Sequence, residues 1–403
     1  MAEPRIRFKK NNESSFPDWK EYELDEILIE RNEPHLISID APQLSFTIEQ
    51  GVIFPEEKKS NKRDFLMKDK ENKKFLLTEY NDIIYNPANL KFGAIHRNTL
   101  GRGVVSPIYA IFYTNQNPAF IEGIVTNPKF IKRSLRFLEG TVIKLMTLKP
   151  RDFLKMKVWI PCLEEQQKIA DFLATIDEVI AVSEEEVANL ETQKKAVMQK
   201  IFSQQVHFKK PDGTDFPDWK EKRIGELGDI IGGGTPKTSV KEYWTGNIPW
   251  ISSADLEENN IFSVNLSRFI TEDAINNSAA KRIPENSILI ITRVGVGKVA
   301  LAPCELCTSQ DYISVLIEKE NCVFIGYEIS KVMQDKVVNV QGTSIKGIPS
   351  DEIKNYSIGI PSLEEQQLIA DFLSDFDKAI TTAKKELELW KQLKKALLQQ
   401  MFV

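Results

Sequence analysis

Leu163-Glu164-Glu165-Gln166-Gln167-Lys168-Ile169-Ala170-Asp171-Phe172-Leu173 returns as Leu363-Glu364-Glu365-Gln366-Gln367-Leu368-Ile369-Ala370-Asp371-Phe372-Leu373, 200 residues later in a chain of 403. Phe16-Pro17-Asp18-Trp19-Lys20-Glu21 returns as Phe216-Pro217-Asp218-Trp219-Lys220-Glu221 at the same offset. The tail Lys194-Lys195-Ala196 with Phe202 returns as Lys394-Lys395-Ala396 with Phe402. Across 161–202 and 361–402, 19 of 42 positions are identical. Solenoids and propellers repeat every ~20 to 50 residues, so a period this long marks a duplicated domain. Between the shared boundaries the two copies differ, so a constant frame carries two unlike inserts.

The frame reads as a helix with a narrow apolar seam. Ile169, Leu173, Ile176, Ile180, Ser183, Val187, Leu190, Lys194, Val197 and Ile201 alternate at spacings of four and three. Ile369, Leu373, Phe376, Ile380, Ala383, Leu387, Trp390, Lys394, Leu397 and Met401 keep the same register. That is a coiled-coil pattern held for about four to five heptads. Pro161 and Pro361 suit a helix start, and the paired glutamates that follow favour the positive end of the helix dipole. About 40 residues at 1.5 Å each give a rod of about 60 Å. A solitary amphipathic helix would pack on its own domain; two matching registers favour pairing with each other, on Leu173, Ile176, Ile180, Val187, Leu190 and Val197 against Leu373, Phe376, Ile380, Leu387, Trp390 and Leu397.

The expected organisation is a globular segment over 1–160, a helix over 161–203, a second globular segment over 204–360 and a second helix over 361–403. Runs such as Ile83-Ile84-Tyr85, Ile108–Tyr113, Ile288–Ile291 and Tyr312–Ile317 read as strands, which makes both segments mixed α/β. The whole is then two globular α/β domains separated by two long antiparallel coiled-coil helices, a pseudo-two-fold internal repeat.

Charge is uneven within a formal net of −5. It is +5 over 1–160, −5 over 161–203, −4 over 204–360 and −1 over 361–403. Residues 81–150 hold nine cations against three anions, a surface suited to phosphate. The second segment has no such excess; if it binds DNA, it needs a small local patch or a partner that supplies the charge. Four cysteines are too few for a disulfide scaffold at this length. No apolar run reaches the ~18 residues of a membrane span, and the start Met1-Ala2-Glu3-Pro4-Arg5 has no signal-peptide core, so the expected location is the cytoplasm.

No motif supports catalysis. Asn86-Pro87-Ala88-Asn89 lacks the second proline and the aromatic of the Asn-Pro-Pro-aromatic motif that holds a flipped base, and reads as a turn or DNA loop. Gly295-Val296-Gly297-Lys298-Val299-Ala300 fits a dinucleotide fingerprint only superficially, because Pro303 falls where the helix would run. A tight hairpin is the better reading, with Arg293 and Lys298 towards phosphate. Cys304-Glu305-Leu306-Cys307 lacks further ligands, so no metal site is expected. His35, His96 and His207 have no nucleophile or carboxylate pattern around them and read as structural or surface groups.

The remaining polar loops suit the reading of base edges. In the first segment the candidates are Asn86, Lys91, Arg97, Arg102 and Lys144. In the second they are Thr235, Lys237, Ser239, Trp244, Ser252, Ser253, Arg293, Lys298 and Lys346. Gly232-Gly233-Gly234 supplies a pliable backbone, and Gly342-Thr343-Ser344-Ile345-Lys346 parallels Gly140-Thr141-Val142-Ile143-Lys144.

Two domains, each closed by Ile-Pro-x-Leu-Glu-Glu-Gln-Gln-x-Ile-Ala-Asp-Phe-Leu and a heptad helix, resemble the specificity subunits of Type I restriction-modification enzymes. So does the entry from Gly233-Gly234-Thr235-Pro236-Lys237-Thr238 to Tyr243-Trp244-x-Gly246-x-Ile248-Pro249-Trp250-Ile251-Ser252. The resemblance covers essentially the whole chain. It implies two target-recognition domains, each reading half of a bipartite, asymmetric DNA sequence, with the helices as a ruler for the gap. It also implies partners: double-stranded DNA, two modification subunits that use S-adenosylmethionine on adenine, and restriction subunits that translocate and cleave with ATP and Mg2+. The chain itself would bind no cofactor and carry no catalysis. A coiled-coil scaffold bearing two protein-binding domains is the alternative, and a self-sufficient methyltransferase is disfavoured by the residues missing after Pro87.

Overall fold

A computed structural model describes residues 4–57, 74–138, 147–340 and 347–403. Lys144 and Lys346, and the two Gly-Thr stretches that contain them, lie outside the described residues. The chain divides into two compact units, Met1–Val182 with Leu387–Val403, and Ser183–Glu386.

In the first unit a four-stranded antiparallel sheet runs in the order Leu28–Glu30, Ala110–Thr114, Ile83–Tyr85, Ile95–Arg97. Its inner strands are continuous apolar runs because both faces are covered. On one face Tyr85, Phe112 and Phe153 stack with ring centres 4.7 to 6.0 Å apart, beneath helices Pro118–Val125 and Pro128–Ser134. On the other, Ile84 and Ile111 pack against Leu44 and against Phe46, Val52 and Val105, the last three from two smaller sheets. Strand Lys20–Glu23 pairs with Lys157–Ile160 and closes the domain just before the long helix.

The second unit repeats this core. Its antiparallel sheet runs Ile230–Gly232, Tyr312–Val315, Ile288–Ile291, Val299–Leu301. Helix Cys322–Val340 covers one face. The other face carries a sheet of a kind the first unit lacks among its described residues: Phe269–Ile270, Ile248–Ile251, Leu306–Thr308, Arg282–Ile283, with its middle pair parallel. The closing ribbon returns at the same register, Lys20↔Ile160 becoming Lys220↔Ile360.

The first long helix spans Leu163–Phe202 and the second Leu363–Met401. In each unit the start of one meets the end of the other. Ile169 and Leu173 share a core with Met401 and Phe402 in the first unit, and Ile369 and Leu373 with Ile201 and Phe202 in the second. Glu191 pairs with Lys384 at 2.8 Å and Lys194 with Asp377 at 2.6 Å, so numbers fall along one helix as they rise along the other: the pairing is antiparallel. Leu173, Ile176, Leu373 and Ile380 are buried. Ile180, Val187, Leu190, Val197, Phe376, Leu387, Trp390 and Leu397 are half-buried. Each helix therefore has an apolar stripe and charged flanks, as a coiled coil requires. The mixed α/β class and the antiparallel helical frame are those expected from the sequence. Among the described residues no helix is long and apolar enough to cross a membrane.

Candidate nucleic-acid interface

The repeated glutamines act at the joint between frame and domain. Gln166 accepts from the backbone N–H of Asn117 at 3.0 Å and donates to the Pro161 carbonyl at 2.9 Å; Gln167 accepts from the Asn117 amide at 2.8 Å. Asn117 is the N-cap of helix Pro118–Val125, accepting from Phe120 N–H at 3.0 Å. Gln366, Gln367 and Asn321 repeat every one of these bonds, with Asn321 accepting from Phe324 N–H at the head of Cys322–Val340. The frame thus grips the first turn of the helix on which each domain is built. Trp19 lies edge-on to Phe120, which touches Phe402; Trp219 packs on Phe324 and Phe202. The tail of each copy therefore seats the other copy's domain. Asn117 and Asn321 escape a search at an offset of 200 because they are 204 apart; Asn-x-x-Phe at 117–120 and 321–324 was the available signal.

The two copies differ beneath this joint. The guanidinium of Arg7 makes two bonds to Glu165, at 3.1 and 2.9 Å. At the matching positions stand His207 and Glu365, and Glu365 is buried with one oxygen lacking a partner among the described residues. Burial pushes its carboxyl up, against the pull of Trp219 and His207.

In the first domain the candidate residues fall in two places. Asn86 is half-buried and caps a turn, accepting from Ala88 N–H at 3.0 Å, and Lys91 follows over the ring of Phe92. Arg97 is held by Glu122 at 3.0 Å and Asn81 at 2.7 Å. Arg102 touches Glu79 and lies 3.7 Å from Asp40. Asn98, fully buried, ties the loops together by donating to Thr78, Glu79 and Gly101. The arginines sit on one braced group of loops, beside exposed Tyr80 and Leu100. Both spend charge on neighbours, so this surface is less cationic than its composition suggests. His96 bonds the Ile48 carbonyl at 2.8 Å, a structural role.

In the second domain the loops converge on Trp250. Its ring is buried, and its N–H donates to the Gly234 carbonyl at 3.0 Å. Trp244 stands edge-on at 5.0 Å and donates to the Lys237 carbonyl at 3.4 Å. Arg268 lies over the Trp250 face at 4.8 Å and binds Ser252 at 2.6 Å as well as Asp255. Thr235 contacts Gln310. Thr235, Lys237, Trp244 and Ser252 are thereby gathered on one platform, and Arg268 and Gln310, unmarked by any sequence motif, join them. Ser239 is exposed and Ser253 half-buried nearby in sequence. Arg293 is exposed on the hairpin between Ile288–Ile291 and Val299–Leu301; Lys298 instead donates to the Leu256 carbonyl at 2.9 Å.

The glycines of this platform are packed rather than pliable. A Cβ on Gly233 would lie 2.1 Å from the Ser309 carbonyl oxygen, and one on Gly234 2.2 Å from the Ala279 carbonyl. Only Gly232 faces open space. Glycine is needed at 233 and 234 because backbone approaches backbone, which corrects the reading of this run as a flexible loop.

Among the described residues no group of three or more His, Cys, Asp or Glu could hold a metal. Cys307 lies in a strand, where burial pushes its thiol up to about 11.

Two unlike α/β domains, each held through the same glutamine–asparagine contacts by one duplicated helical frame, define a chain that presents two different surfaces from a constant support. Residues 217–389 match the family described as Type I restriction modification DNA specificity domain. The MjaIX specificity subunit of Methanocaldococcus jannaschii is 34% identical over 208 residues, covering 50% of this chain and 48% of that one. The EcoR124I/EcoR124II specificity subunit of Escherichia coli is 30% identical over 241 residues, covering 56% and 57%. The chain thus spans about half the length of these curated relatives. The crystal structure of the Type-I restriction-modification S subunit from M. genitalium shares the fold, with a TM-score of 0.59 at 13% identity over 100% of this chain and 99% of that one. Over residues 217–389 the chain is thus similar to the DNA specificity domain of Type I restriction-modification enzymes, and over about half their length to their specificity subunits.

Proposed function

We propose that this chain is the non-catalytic sequence reader of a Type I complex. Each domain reads one half of a bipartite, asymmetric DNA target, and the paired helices set the gap between the halves. Two modification subunits bring S-adenosylmethionine and methylate adenine, and restriction subunits translocate and cleave with ATP and Mg2+, all in the cytoplasm where the DNA lies. The supporting observation is the division of the chain: the glutamine–asparagine bonds between frame and domain recur in both copies, whereas the loops around Arg97 and around Trp250 share neither sequence nor sheet. A single reader used twice would have kept its loops alike.

The candidate DNA contacts are Lys91, Arg97 and Arg102 with Asn86 on the first domain, and Thr235, Lys237, Trp244 and Arg293 on the second, joined by Ser239, Ser252, Ser253 and Lys298; Lys144 and Lys346 remain candidates from the sequence. The twofold use of one partner is supported by large apolar residues that recur exposed at matching positions. Leu163 and Leu363, both large and apolar, are 57% and 58% exposed at the heads of the two helices, each followed by an exposed glutamate.

Inserting one heptad into both helices tests the ruler. The gap in the methylated sequence should lengthen while both half-sites keep their bases; an unchanged gap refutes it.

A further inference from the structure

The repeat places the same ion pair in each unit, Lys194–Asp377 in one and Lys394–Asp177 in the other, and surrounds them differently. In the second unit the side chains of Lys194 and Asp377 are 5% and 4% exposed. Lys194 also donates to the Asn259 carbonyl at 2.8 Å, and the Tyr327 hydroxyl donates to the other oxygen of Asp377 at 2.6 Å. Asn259 sits in a left-handed turn at φ +62 and accepts from Gln334 of the Tyr327 helix at 2.9 Å. Both long helices, the domain's main helix and a domain loop therefore meet at one buried pair. In the first unit Asp177 and Lys394 are 52% and 33% exposed. The position matching Tyr327, counted from the capping asparagines, is Gly123, where a Cβ would strike Phe402 at 2.6 Å. No hydroxyl reaches the pair from there.

Desolvation cancels much of what a buried pair gains in attraction, so its net effect on stability is small while its demand on geometry is strict. Burial lowers the affinity of Lys194 for its proton against the opposing pull of Asp377. Such a junction has one acceptable geometry. A domain tilted by about 10° on a support some 20 Å from its reading surface would move that surface by roughly 3.5 Å, about the 3.4 Å rise of one base pair. An apolar joint tolerates such a tilt more easily than a hydrogen-bonded ion pair does.

We propose that Lys194, Asp377 and Tyr327 are positioning residues that fix the second domain on its helices and so hold the protein to a single gap length between half-sites. The inference rests on the bipartite reading proposed above. It is tested with the assembled methylating complex on DNA carrying the preferred gap, and gaps one pair shorter and longer. Tyr327→Phe and Asp377→Asn should raise methylation at the wrong gaps, relative to the preferred one, by about tenfold. The bases read in each half should not change, and Asp177→Asn should keep the wild-type profile. Tyr327→Phe loses only a hydroxyl, and it decides the matter if Asp377→Asn does not fold. A sharp wild-type profile that Tyr327→Phe leaves equally sharp overturns the inference alone. A wild-type complex with no gap preference overturns the bipartite reading and this inference with it.

Discussion

Gln366→Leu should loosen the second domain from its frame far more than Gln367→Leu, although each removes a bond to the same asparagine. Gln366 is fully buried and makes three bonds: it accepts from Asn321 N–H at 2.8 Å and donates to Glu320 at 2.7 Å and to the Pro361 carbonyl at 3.0 Å. Leucine fills similar volume and leaves that N–H, that carbonyl and part of a carboxylate without partners. At about 1 kcal/mol for each neutral bond and about 1.5 to 3 for the charged one, the loss is about 4 kcal/mol. Gln367 is exposed, and water replaces its bonds to Asn321 and Asp371, so its loss is about 0.5 kcal/mol. Native-state hydrogen exchange at the amides of Val323 and Phe324, both bonded to Asn321, reads the effect locally and does not require the two units to unfold together. Protection there should fall by about three powers of ten in Gln366→Leu and by less than one in Gln367→Leu. Equal losses in the two variants would refute the claim that the buried glutamine is the clamp. Gln166→Leu should act in the same way at the amide of Phe120.

Other outcomes follow from the same contacts. Gly234→Ala should destabilise the second unit by a few kcal/mol in urea unfolding, because its methyl meets Ala279 at 2.2 Å, while Gly232→Ala should change little. Glu328 is buried with one oxygen unpartnered among the described residues, and burial pushes its carboxyl from 4.5 up to about 7. A raised carboxyl stabilises the fold fully below pH 4.5 and loses that stability as pH rises through about 7. Glu328→Gln should therefore stabilise the second unit by about 3 kcal/mol at pH 8 and be neutral near pH 4, measured by denaturation at both values. Leu163→Arg with Leu363→Arg should weaken co-purification of modification subunits while unfolding stays within about 0.5 kcal/mol of the wild type.

The frame was legible because periodicity and repetition are carried by the sequence itself. The 200-residue offset gave the duplication, and the heptad seam gave paired helices whose antiparallel sense the ion pairs Glu191–Lys384 and Lys194–Asp377 display. The sheets were legible as types, not as an order, since cross-strand partners such as Ile84 and Ile111 are set by tertiary packing. The loops were least legible. Gly233 and Gly234 look pliable in sequence and are pinned in space; Arg97 looks available for phosphate and is occupied by Glu122. Arg268 and Gln310 reach the Trp250 platform from distant parts of the chain, and no local spacing announces them. Asn117 and Asn321 were hidden by a four-residue drift between the copies.

On the proposed function, this chain decides which DNA sequence its partners modify. Single-molecule sequencing of methylated adenines, in cells with the chain, without it, and with residues 22–150 exchanged for another domain, measures that directly. A bipartite motif should be present with the chain, disappear on its deletion and change in one half alone on exchange. A motif that survives deletion, or that the exchange leaves intact, would contradict that function.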